Sequence, residues 1–404
     1  MTAALSLAEQ GFPVHIVEKN DQLGGIANRL RYSLDGEDVR AQVRALVARV
    51  ESHPLITVHR NAEVRQARGH VGNFLTVIAG RGDGQERDIE HGVIIVASGA
   101  HEGQPSGYPY GADERVLTLL ELEDQIASGG ALVERARNVV FIQCAGSRSD
   151  DRPYCSRTCC RQTVKLALRL KELNPEIDVH VFYRDMMTYG LSEESYRLAR
   201  ERGVRFHRYR PNAPPQASVD AGSQALLVTG EDCDLNRVVE LKADILALAA
   251  PTVPNEDNAR LSSLLKVPLD SDGFFLEAHM KLRPVEFPRD GVFLCGLAHG
   301  PKSLDEALAQ AQAAASRAAS VLTQGALETL GTVAEVQRRK CTGCGLCQAV
   351  CPFDAITIDE ETKIAVVNEV VCKGCGACAA ACWPGAIDIL GMSNEQVLAA
   401  ITAL

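Results

Sequence analysis

No run of 18 or more apolar residues occurs in the 404-residue sequence, so no segment is predicted to span a membrane. The N-terminus also lacks the charged, apolar and small-residue succession of a secretory signal, and we therefore predict a cytoplasmic protein. Positive charge is scarce, because 42 Lys and Arg residues face 52 Asp and Glu residues. This balance argues against a nucleic-acid partner, since phosphates need a surplus of cations.

A glycine loop is missing at the start of the chain. A predicted helix from Thr2 to Gln10 ends at Gly11, and a predicted strand from Val14 ends at Glu18. This order is typical of the back half of a dinucleotide-binding βαβ unit, in which the acid after the second strand binds ribose. The strand and G-x-G-x-x-G loop of the front half do not precede it. We expect a start codon assigned too late rather than a truncated chain, because an open sheet rarely dispenses with its central strand.

The remainder of the chain alternates apolar strands with helices. Strands are predicted at 92–100, 138–142, 179–184, 243–250 and 291–294, and helices at 161–173 and 304–322. This alternation predicts an α/β architecture with parallel sheets. We predict the first part of a dinucleotide-binding domain at 1–112, an inserted nucleotide-binding-like domain at 113–242, the second part of the first domain at 243–325 and a cysteine-rich domain at 326–404. Residues 323–336 are the predicted linker.

Cysteine is the informative residue type. Twelve of the 14 cysteines lie in three groups, and Cys233 and Cys295 stand apart as predicted buried apolar residues. In a reducing compartment, clustered cysteines indicate metal or redox sites rather than disulfides.

The tail repeats the spacing C-x2-C-x2-C-x3-C. The first run is Cys341, Cys344, Cys347 and Cys351, and the second is Cys372, Cys375, Cys378 and Cys382. This spacing is typical of two 4Fe–4S clusters, in which the fourth cysteine of each run ligates the other cluster. We therefore predict one site from Cys341, Cys344, Cys347 and Cys382, and the other from Cys372, Cys375, Cys378 and Cys351. A pair of zinc knuckles is the disfavoured alternative, because each zinc site needs four ligands but no cysteine interleaved from the other run.

The middle group comprises Cys144, Cys155, Cys159 and Cys160, which follow the predicted strand at 138–142. A nicotinamide-binding domain would carry its glycine loop there. A helix N-terminus that suits phosphate also suits anionic thiolates. We predict a third 4Fe–4S cluster, with a zinc site or redox-active thiols as the alternatives. Lys165, one turn into the following helix, is a candidate to stabilise an anionic reduced flavin. The other interpretation is an ordinary exposed lysine.

A strand, a glycine turn and a capped helix follow at 291–322. Ser303 is a predicted N-cap, and the turn contains Gly296, His299 and Lys302. In two-domain flavoproteins such an element directs backbone N–H groups towards the pyrimidine end of the flavin. A plain capped helix explains the local pattern equally well.

Together these segments resemble the A-subunit family of the heterodisulfide reductases. The resemblance rests on VEKNDQLGG at 17–25, CAGSR at 144–148, YCSRTCC at 154–160, GLAHGPKS at 296–303 and the two-cluster tail. It implies a thioredoxin-reductase-like fold of two dinucleotide-binding domains, joined to a C-terminal α+β bacterial-type ferredoxin domain. In this fold the parts at 1–112 and 243–325 are the first and second FAD-binding parts. The implied flavin contacts are Glu18, Lys19, Gly24, Gly25, Ser98, Gly99, Gly296, His299, Lys302 and Ser303, with Lys165 as the catalytic candidate.

The resemblance also implies an oxidoreductase subunit that passes electrons between flavin and clusters, an arrangement that flavin-based bifurcation requires. Expected partners are other redox subunits of such a complex and a ferredoxin, and a homodimer is a further option. Two alternatives stay open. One is an NAD(P)H-dependent oxidoreductase of the glutamate synthase small-subunit type, and the other is a flavin-free electron-transfer docking subunit.

Overall fold

The computed structural model describes residues 1–82, 84–326 and 331–403, so residues 327–330 of the predicted linker lie outside the described residues. The first part forms β1 and β2 as a parallel pair and β3 to β5 as an antiparallel sheet. Its elements are α1 (Thr2–Ala8), β1 (Val14–Val17), α2 (Val39–Ser52), β2 (Ile56–His59), β3 (Ala62–His70), β4 (Asn73–Gly80), β5 (Glu86–His91), β6 (Ile94–Val96) and β7 (Ala100–Glu102). The apolar strand predicted within 92–100, running into a small-residue turn, is present as β6. Gly99 has φ +76°, and the chain turns there between β6 and β7.

The inserted domain is built on a parallel sheet of order β11-β10-β9-β15-β8. Its elements are β8 (Val116–Thr118), α3 (Leu119–Ser128), α4 (Ala131–Arg135), β9 (Asn138–Ile142), α5 (Cys159–Leu173), β10 (Asp178–Tyr183), α6 (Ser192–Glu201), β11 (Arg205–Arg208), β12 (Gln216–Val219), β13 (Leu226–Asp232), β14 (Arg237–Ala243) and β15 (Ile245–Leu248). Helices α3, α5 and α6 cover one face, and the antiparallel strands β12 to β14 cover the other. The central strands β9 and β15 are therefore almost entirely apolar, while β10 also contains Asp178 and the buried His180.

The predicted boundary at 242/243 is too early. Strand β15 pairs in parallel with β9 and with β8, so it completes the sheet of the inserted domain rather than opening the second FAD-binding part. The apolar run at 243–250 suits any buried parallel strand. Its partners are set by long-range pairing, which the local pattern does not specify.

The segment predicted as the second FAD-binding part pairs with strands of the first part. Its elements are β16 (Thr252–Pro254), α7 (Asn258–Leu265), β17 (Val292–Leu294) and α8 (Leu304–Leu322). Strand β16 pairs antiparallel with β7, and β17 pairs in parallel with β6. Ala314, Ala315 and Ala318 of α8 are fully buried in the core that includes Leu7 of α1 and Phe293 of β17. The alanine-rich face thus allows this helix to pack closely against its neighbours.

The cysteine-rich domain contains β18 (Ala334–Val336), α9 (Leu346–Ala349), β19 (Ile356–Ile358), β20 (Ala365–Val367), α10 (Ala377–Ala381), β21 (Ile387–Ile389) and α11 (Asn394–Thr402). Strands β18 and β21 form one antiparallel pair, and β19 and β20 form another. The small core includes Cys347 and Cys378. Within the three described ranges, no helix is both long and apolar enough to cross a bilayer.

Candidate redox centres

Two cavities in the C-terminal domain are lined by cysteines. The lining of one includes Cys351, Cys372, Cys375 and Cys378. The lining of the other includes Cys341, Cys344, Cys347 and Cys382. Each cavity therefore collects three cysteines from one run and the fourth from the other, which is the crossed pattern that the spacing predicts.

Backbone N–H groups point at four of these sulfur atoms. The bonds run from Ala365 to Cys341 (3.5 Å), Ala355 to Cys351 (3.3 Å), Ala334 to Cys372 (3.3 Å) and Ala386 to Cys382 (3.2 Å). Corresponding donors in the two halves are separated by the same 31 residues as the cysteines. The two halves of the sequence repeat therefore supply equivalent backbone donors to equivalent cysteines. N–H donors to sulfur raise the reduction potential of a cluster.

Two glycines in the cysteine runs have no room for a side chain. Gly374 has φ +59°, and a Cβ there would lie 2.5 Å from the carbonyl oxygen of Thr332. Gly343, its counterpart 31 residues earlier, has φ +67°, and a Cβ would lie 2.1 Å from the carbonyl oxygen of Lys363. Both positions combine a left-handed backbone with direct contact against another segment of the chain.

We expect Gly374→Ala to cost the domain about four irons per chain, because the clash displaces the loop between Cys372 and Cys375. Gly385→Ala is the matched control, since Gly385 has φ +60° and a Cβ added there would meet nothing within 4 Å. The control should carry only the left-handed penalty of roughly 1–2 kcal/mol. Iron and sulfide analysis checks the result, and equal iron content in the two variants would contradict it.

The middle cysteine group lies at the carboxyl end of β9. Cys144 follows β9 with φ +60°, and Cys159 and Cys160 open α5. The Sγ of Cys155 accepts the backbone N–H of Arg157 at 3.3 Å. Burial, together with the neighbouring Cys160 thiolate, raises the pKa of Cys144 to about 11. The thiols are therefore close enough to oppose each other's ionisation, and a bound cationic group would relieve that opposition.

Unpaired polar atoms surround this group. Five buried side-chain polar atoms lack a hydrogen-bond partner within the described part of the chain, and three of them belong to Gln143, Ser147 and Arg184. Gln143 and Ser147 flank Cys144 in the sequence, while Arg184 follows β10, the neighbour of β9. Buried polar groups are nearly always paired. The residues around Cys144 therefore fit a further group with hydrogen-bonding capacity.

Arg157 joins the middle cysteine group to the turn before α8. Its guanidinium donates to the carbonyl of Pro301 at 3.0 Å and to the carboxylate of Glu306 at 2.8 Å. Tyr189 also donates to Glu306, at 2.9 Å. The loop that carries Cys155 is thereby fastened to the second FAD-binding part, beside the turn that the sequence predicts to face a flavin.

The turn itself is internally braced. Lys302 is buried and donates to the carbonyls of Gly296 and Gly300, both at 2.8 Å. His299 bonds Glu277 at 2.8 Å and accepts from Gln310 at 2.7 Å, and Gln310 also accepts the N–H of Gly296. Ser303 caps α8 through Glu306, as predicted. Gln310 and Glu277 were missed, because neither lies in a motif.

Burial lowers the pKa of Lys302 to about 8, with nearby Arg157 adding to the effect and Glu306, Cys295 and Glu277 opposing it. An unfolded lysine titrates at about 10.4, so between about pH 8 and 10 the unfolded chain binds more protons than the folded one. We therefore expect this lysine to make stability rise with pH across that window. Urea unfolding of Lys302→Met, compared with the parent chain, should show a smaller rise. An unchanged pH dependence would contradict the prediction.

The remaining candidate flavin residues lie near β1 and β6. Glu18 follows β1 and accepts the N–H of Asn20 at 2.9 Å. Lys19 bonds Asn255 and Asp257, each at 3.1 Å, and Ser98 donates to Asn258 at 3.1 Å. These contacts hold Lys19 and Ser98 against one segment of the chain. Gly24, Gly25 and Gly99 all have a positive φ.

Lys165 is buried, so the interpretation as an exposed helix lysine is wrong. Its ammonium pairs with Glu123 at 2.7 Å, and their side chains are 8% and 0% exposed. It also donates to the carbonyl of Tyr32 at 2.8 Å and lies 4.7 Å from the centre of the Tyr32 ring. Burial lowers the pKa of Lys165, and Glu123 opposes that shift. Its role beside a flavin stays a prediction.

The described elements have a thioredoxin-reductase-like fold of two dinucleotide-binding-type domains, joined to a domain of the 4Fe-4S dicluster type. The architecture is similar to that of T. acidophilum thioredoxin reductase, with a TM-score of 0.53 at 14% identity over 80% of this chain and 95% of that one. The flavoprotein disulfide reductase RclA of Escherichia coli matches with a TM-score of 0.53 at 13% identity, over 83% and 72% of the two chains. The family model described as a 4Fe-4S dicluster domain matches residues 340–386.

Sequence relatives identify the family. The iron–sulfur A-subunit of the CoB–CoM heterodisulfide reductase of Methanocaldococcus jannaschii is 32% identical over 99% of this chain and 74% of its own length. A corresponding iron–sulfur A-subunit of Methanopyrus kandleri is also 32% identical, over 100% and 74%. This chain belongs to the A-subunit family of the heterodisulfide reductases. It is an electron-transfer oxidoreductase subunit with flavoprotein and iron–sulfur parts, and the glutamate synthase alternative gains no support from these relatives.

Proposed function

We propose that the chain carries electrons between FAD and three 4Fe–4S clusters, two in the C-terminal domain and one at Cys144, Cys155, Cys159 and Cys160. The observation that supports the route is Arg157, whose loop holds the cysteines and whose guanidinium contacts Pro301 and Glu306 in the proposed flavin turn. When bound, FAD exchanges electrons in pairs or singly, and the clusters exchange them one at a time.

The residues of the tail fit a cluster better than a zinc ion. Zinc draws its ligands to about 2.0–2.3 Å from one centre. Each cysteine-lined cavity of the tail instead takes three cysteines from one run and the fourth from the other run. Zinc knuckles do not need such crossing, whereas it is the ligand pattern of two 4Fe–4S clusters.

The residues also fit part of an FAD site. Glu18 lies at the carboxyl end of β1, where the ribose hydroxyls of a dinucleotide bind. The braced turn at 296–303 would contact the pyrimidine end. Gly296, His299, Lys302 and Ser303 would hold the flavin there, while Lys165 would act from the inserted domain.

The proposed partners are other redox subunits, which accept or deliver electrons at the C-terminal clusters. The relatives in Methanocaldococcus and Methanopyrus are components of heterodisulfide reductases. Another relative, in Methanothermobacter thermautotrophicus, bears the name of an H(2):CoB-CoM heterodisulfide,ferredoxin reductase. A ferredoxin is accordingly the proposed exchange partner. The proposal also includes flavin-based bifurcation as a reaction of the bound FAD. It includes a homodimer as the oligomeric state of the chain.

Anaerobic purification followed by iron, sulfide and flavin analysis tests the proposal. We expect about 12 irons per chain and a flavin released on denaturation. Cys159→Ser should lower the iron content to about eight, while Cys233→Ser, outside the three groups, should leave it unchanged. About eight irons in the parent chain would overturn the third cluster, and a colourless, flavin-free protein would favour the electron-transfer docking role. Bleaching by NADH or NADPH alone would favour a pyridine-nucleotide-dependent oxidoreductase.

A further inference from the structure

The unpaired polar atoms around Cys144 include two hydrogen-bond donors, the hydroxyl of Ser147 and the Nε–H of Arg184. We propose that these two groups donate hydrogen bonds to the sulfur atoms of the cluster at the Cys144 group and thereby raise its reduction potential. The inference rests on the proposed third cluster. Ser147 and Arg184 are not cluster ligands. In this proposal they set the reduction potential of the cluster and so the order in which it receives and passes electrons.

Ser147 is placed by the turn that follows Cys144. Its backbone N–H bonds the carbonyl of Cys144 at 3.4 Å, and Gly146, with φ +102°, reverses the chain between them. The residue is only 3% exposed, and its hydroxyl has no partner among the described residues. A buried hydroxyl without a partner is unfavourable, so its presence beside a ligand cysteine indicates an acceptor there. Thiolate and sulfide sulfurs are acceptors.

Arg184 is held with one side of its guanidinium occupied. A terminal nitrogen donates to the carbonyl of Arg148 at 2.6 Å, while Nε is buried without a partner in the described chain. Arg148 pairs with Asp185 at 2.7 Å, whereas Arg184 has no carboxylate within ion-pair distance in the described ranges. Arg184 therefore offers both a positive charge and a directed N–H.

The chemical consequence follows from the charge of the cluster. Reduction adds one negative charge, so donors to sulfur and a nearby cation stabilise the reduced form more than the oxidised form. In the tail, the corresponding donors are backbone N–H groups of four alanines. At the Cys144 group the proposed donors are side chains. The potential of this cluster is therefore adjustable by side-chain substitution.

The test is a redox titration of the anaerobically purified holoprotein, followed by electron paramagnetic resonance. We expect Ser147→Ala to lower the ratio of reduced to oxidised third cluster about tenfold at a fixed potential, which is about 59 mV for one electron. Ser147→Thr keeps the hydroxyl and should restore the parent value. Arg184→Lys keeps the charge but loses the Nε–H, and it should lower the ratio in the same direction.

Thr188→Val is the matched control. Thr188 is buried in the same domain, but its hydroxyl already donates to Glu193 at 2.8 Å, so the cluster potential should not move. Unfolding of the metal-free protein gives a second measurement. Ser147→Ala should not destabilise it, because no partner is lost, whereas Thr188→Val should.

Three results overturn the inference. The first is a parent protein with about 12 irons in which neither Ser147→Ala nor Arg184→Lys changes the midpoint potential of the third cluster. The second is a shift of that potential in Thr188→Val equal to the shift in Ser147→Ala. Either result would overturn this inference alone and leave the proposed function standing. About eight irons in the parent protein would overturn the proposed third cluster, and this inference with it.

Discussion

Cys351→Ala is expected to empty the site that contains Cys372, Cys375 and Cys378, and to leave intact the site of its own sequence neighbours. The reason is the crossed arrangement of the two cavities, in which Cys351 lines the cavity of the second run. One cluster lost from the C-terminal domain lowers the iron content by about four per chain. Iron analysis of the single variant measures the size of the loss.

Double variants identify which cluster is lost. Cys351→Ala combined with Cys375→Ala should remove no more iron than Cys351→Ala alone, because both residues line one cavity. Combination with Cys344→Ala should remove about four further irons, because Cys344 lines the other cavity. The reverse pattern, in which the Cys344 combination costs nothing further, would show uncrossed sites. Cys344 and Cys375 are both exposed, so the two partner substitutions are matched in burial.

Glu123→Gln is expected to loosen α5 strongly. Glu123 is the buried partner of Lys165, and its carboxylate also accepts the backbone N–H groups of Arg31 and Tyr32 at 2.7 and 3.2 Å. Removing one member of a buried ion pair leaves an uncompensated charge, at a cost of about 3–5 kcal/mol. Hydrogen exchange of the α5 amides should report that loss of local stability.

Two further variants make this expectation specific. Glu172→Gln breaks an exposed pair with Arg169 on the same helix, and it should cost under about 1 kcal/mol. Glu123→Leu combined with Lys165→Met should recover much of the lost protection, because no unpaired charge stays buried. In Glu123→Gln, protection should increase as pH rises, since a lysine with a lowered folded pKa binds fewer protons than in the unfolded chain. If the α5 amides are equally protected from exchange in Glu123→Gln and Glu172→Gln, the expectation that the Glu123–Lys165 pair stabilises α5 is contradicted.

The contact between Glu123 and the segment 31–32 also joins two parts of the chain. Helices α3 and α5 pack on the parallel sheet of the inserted domain, while Arg31 and Tyr32 lie before α2, in the part at 1–112 that is predicted to bind FAD. Both charges of the buried pair therefore contact the other domain, Glu123 through two N–H groups and Lys165 through the carbonyl of Tyr32. Together with Arg157, this pair connects the inserted domain to the FAD-binding parts at two separate places.

Some features of this chain are local, and the amino-acid order is enough to predict them. Strand β9 and helix α8 begin and end where their apolar patterns and caps predict. The cysteine spacing of the tail predicts the crossed grouping, because an x2 loop leaves a thiolate few positions to occupy. Lys302 and Ser303 are predicted as candidate site residues from a short motif, GLAHGPKS, whose residues are neighbours in the chain.

Other features depend on residues far apart in the chain, and no local pattern contains them. Strand β15 has an apolar run that fits any parallel sheet, and its place beside β9 depends on pairing between residues 245–248 and 139–142. Glu123 meets Lys165 across 42 positions, and Arg157 meets Pro301 across 144. The cysteines that mark the redox centres are thus recognisable from their spacing. The contacts that fasten those centres to the proposed flavin site arise only when the packed domains bring distant charges together and exclude water from them.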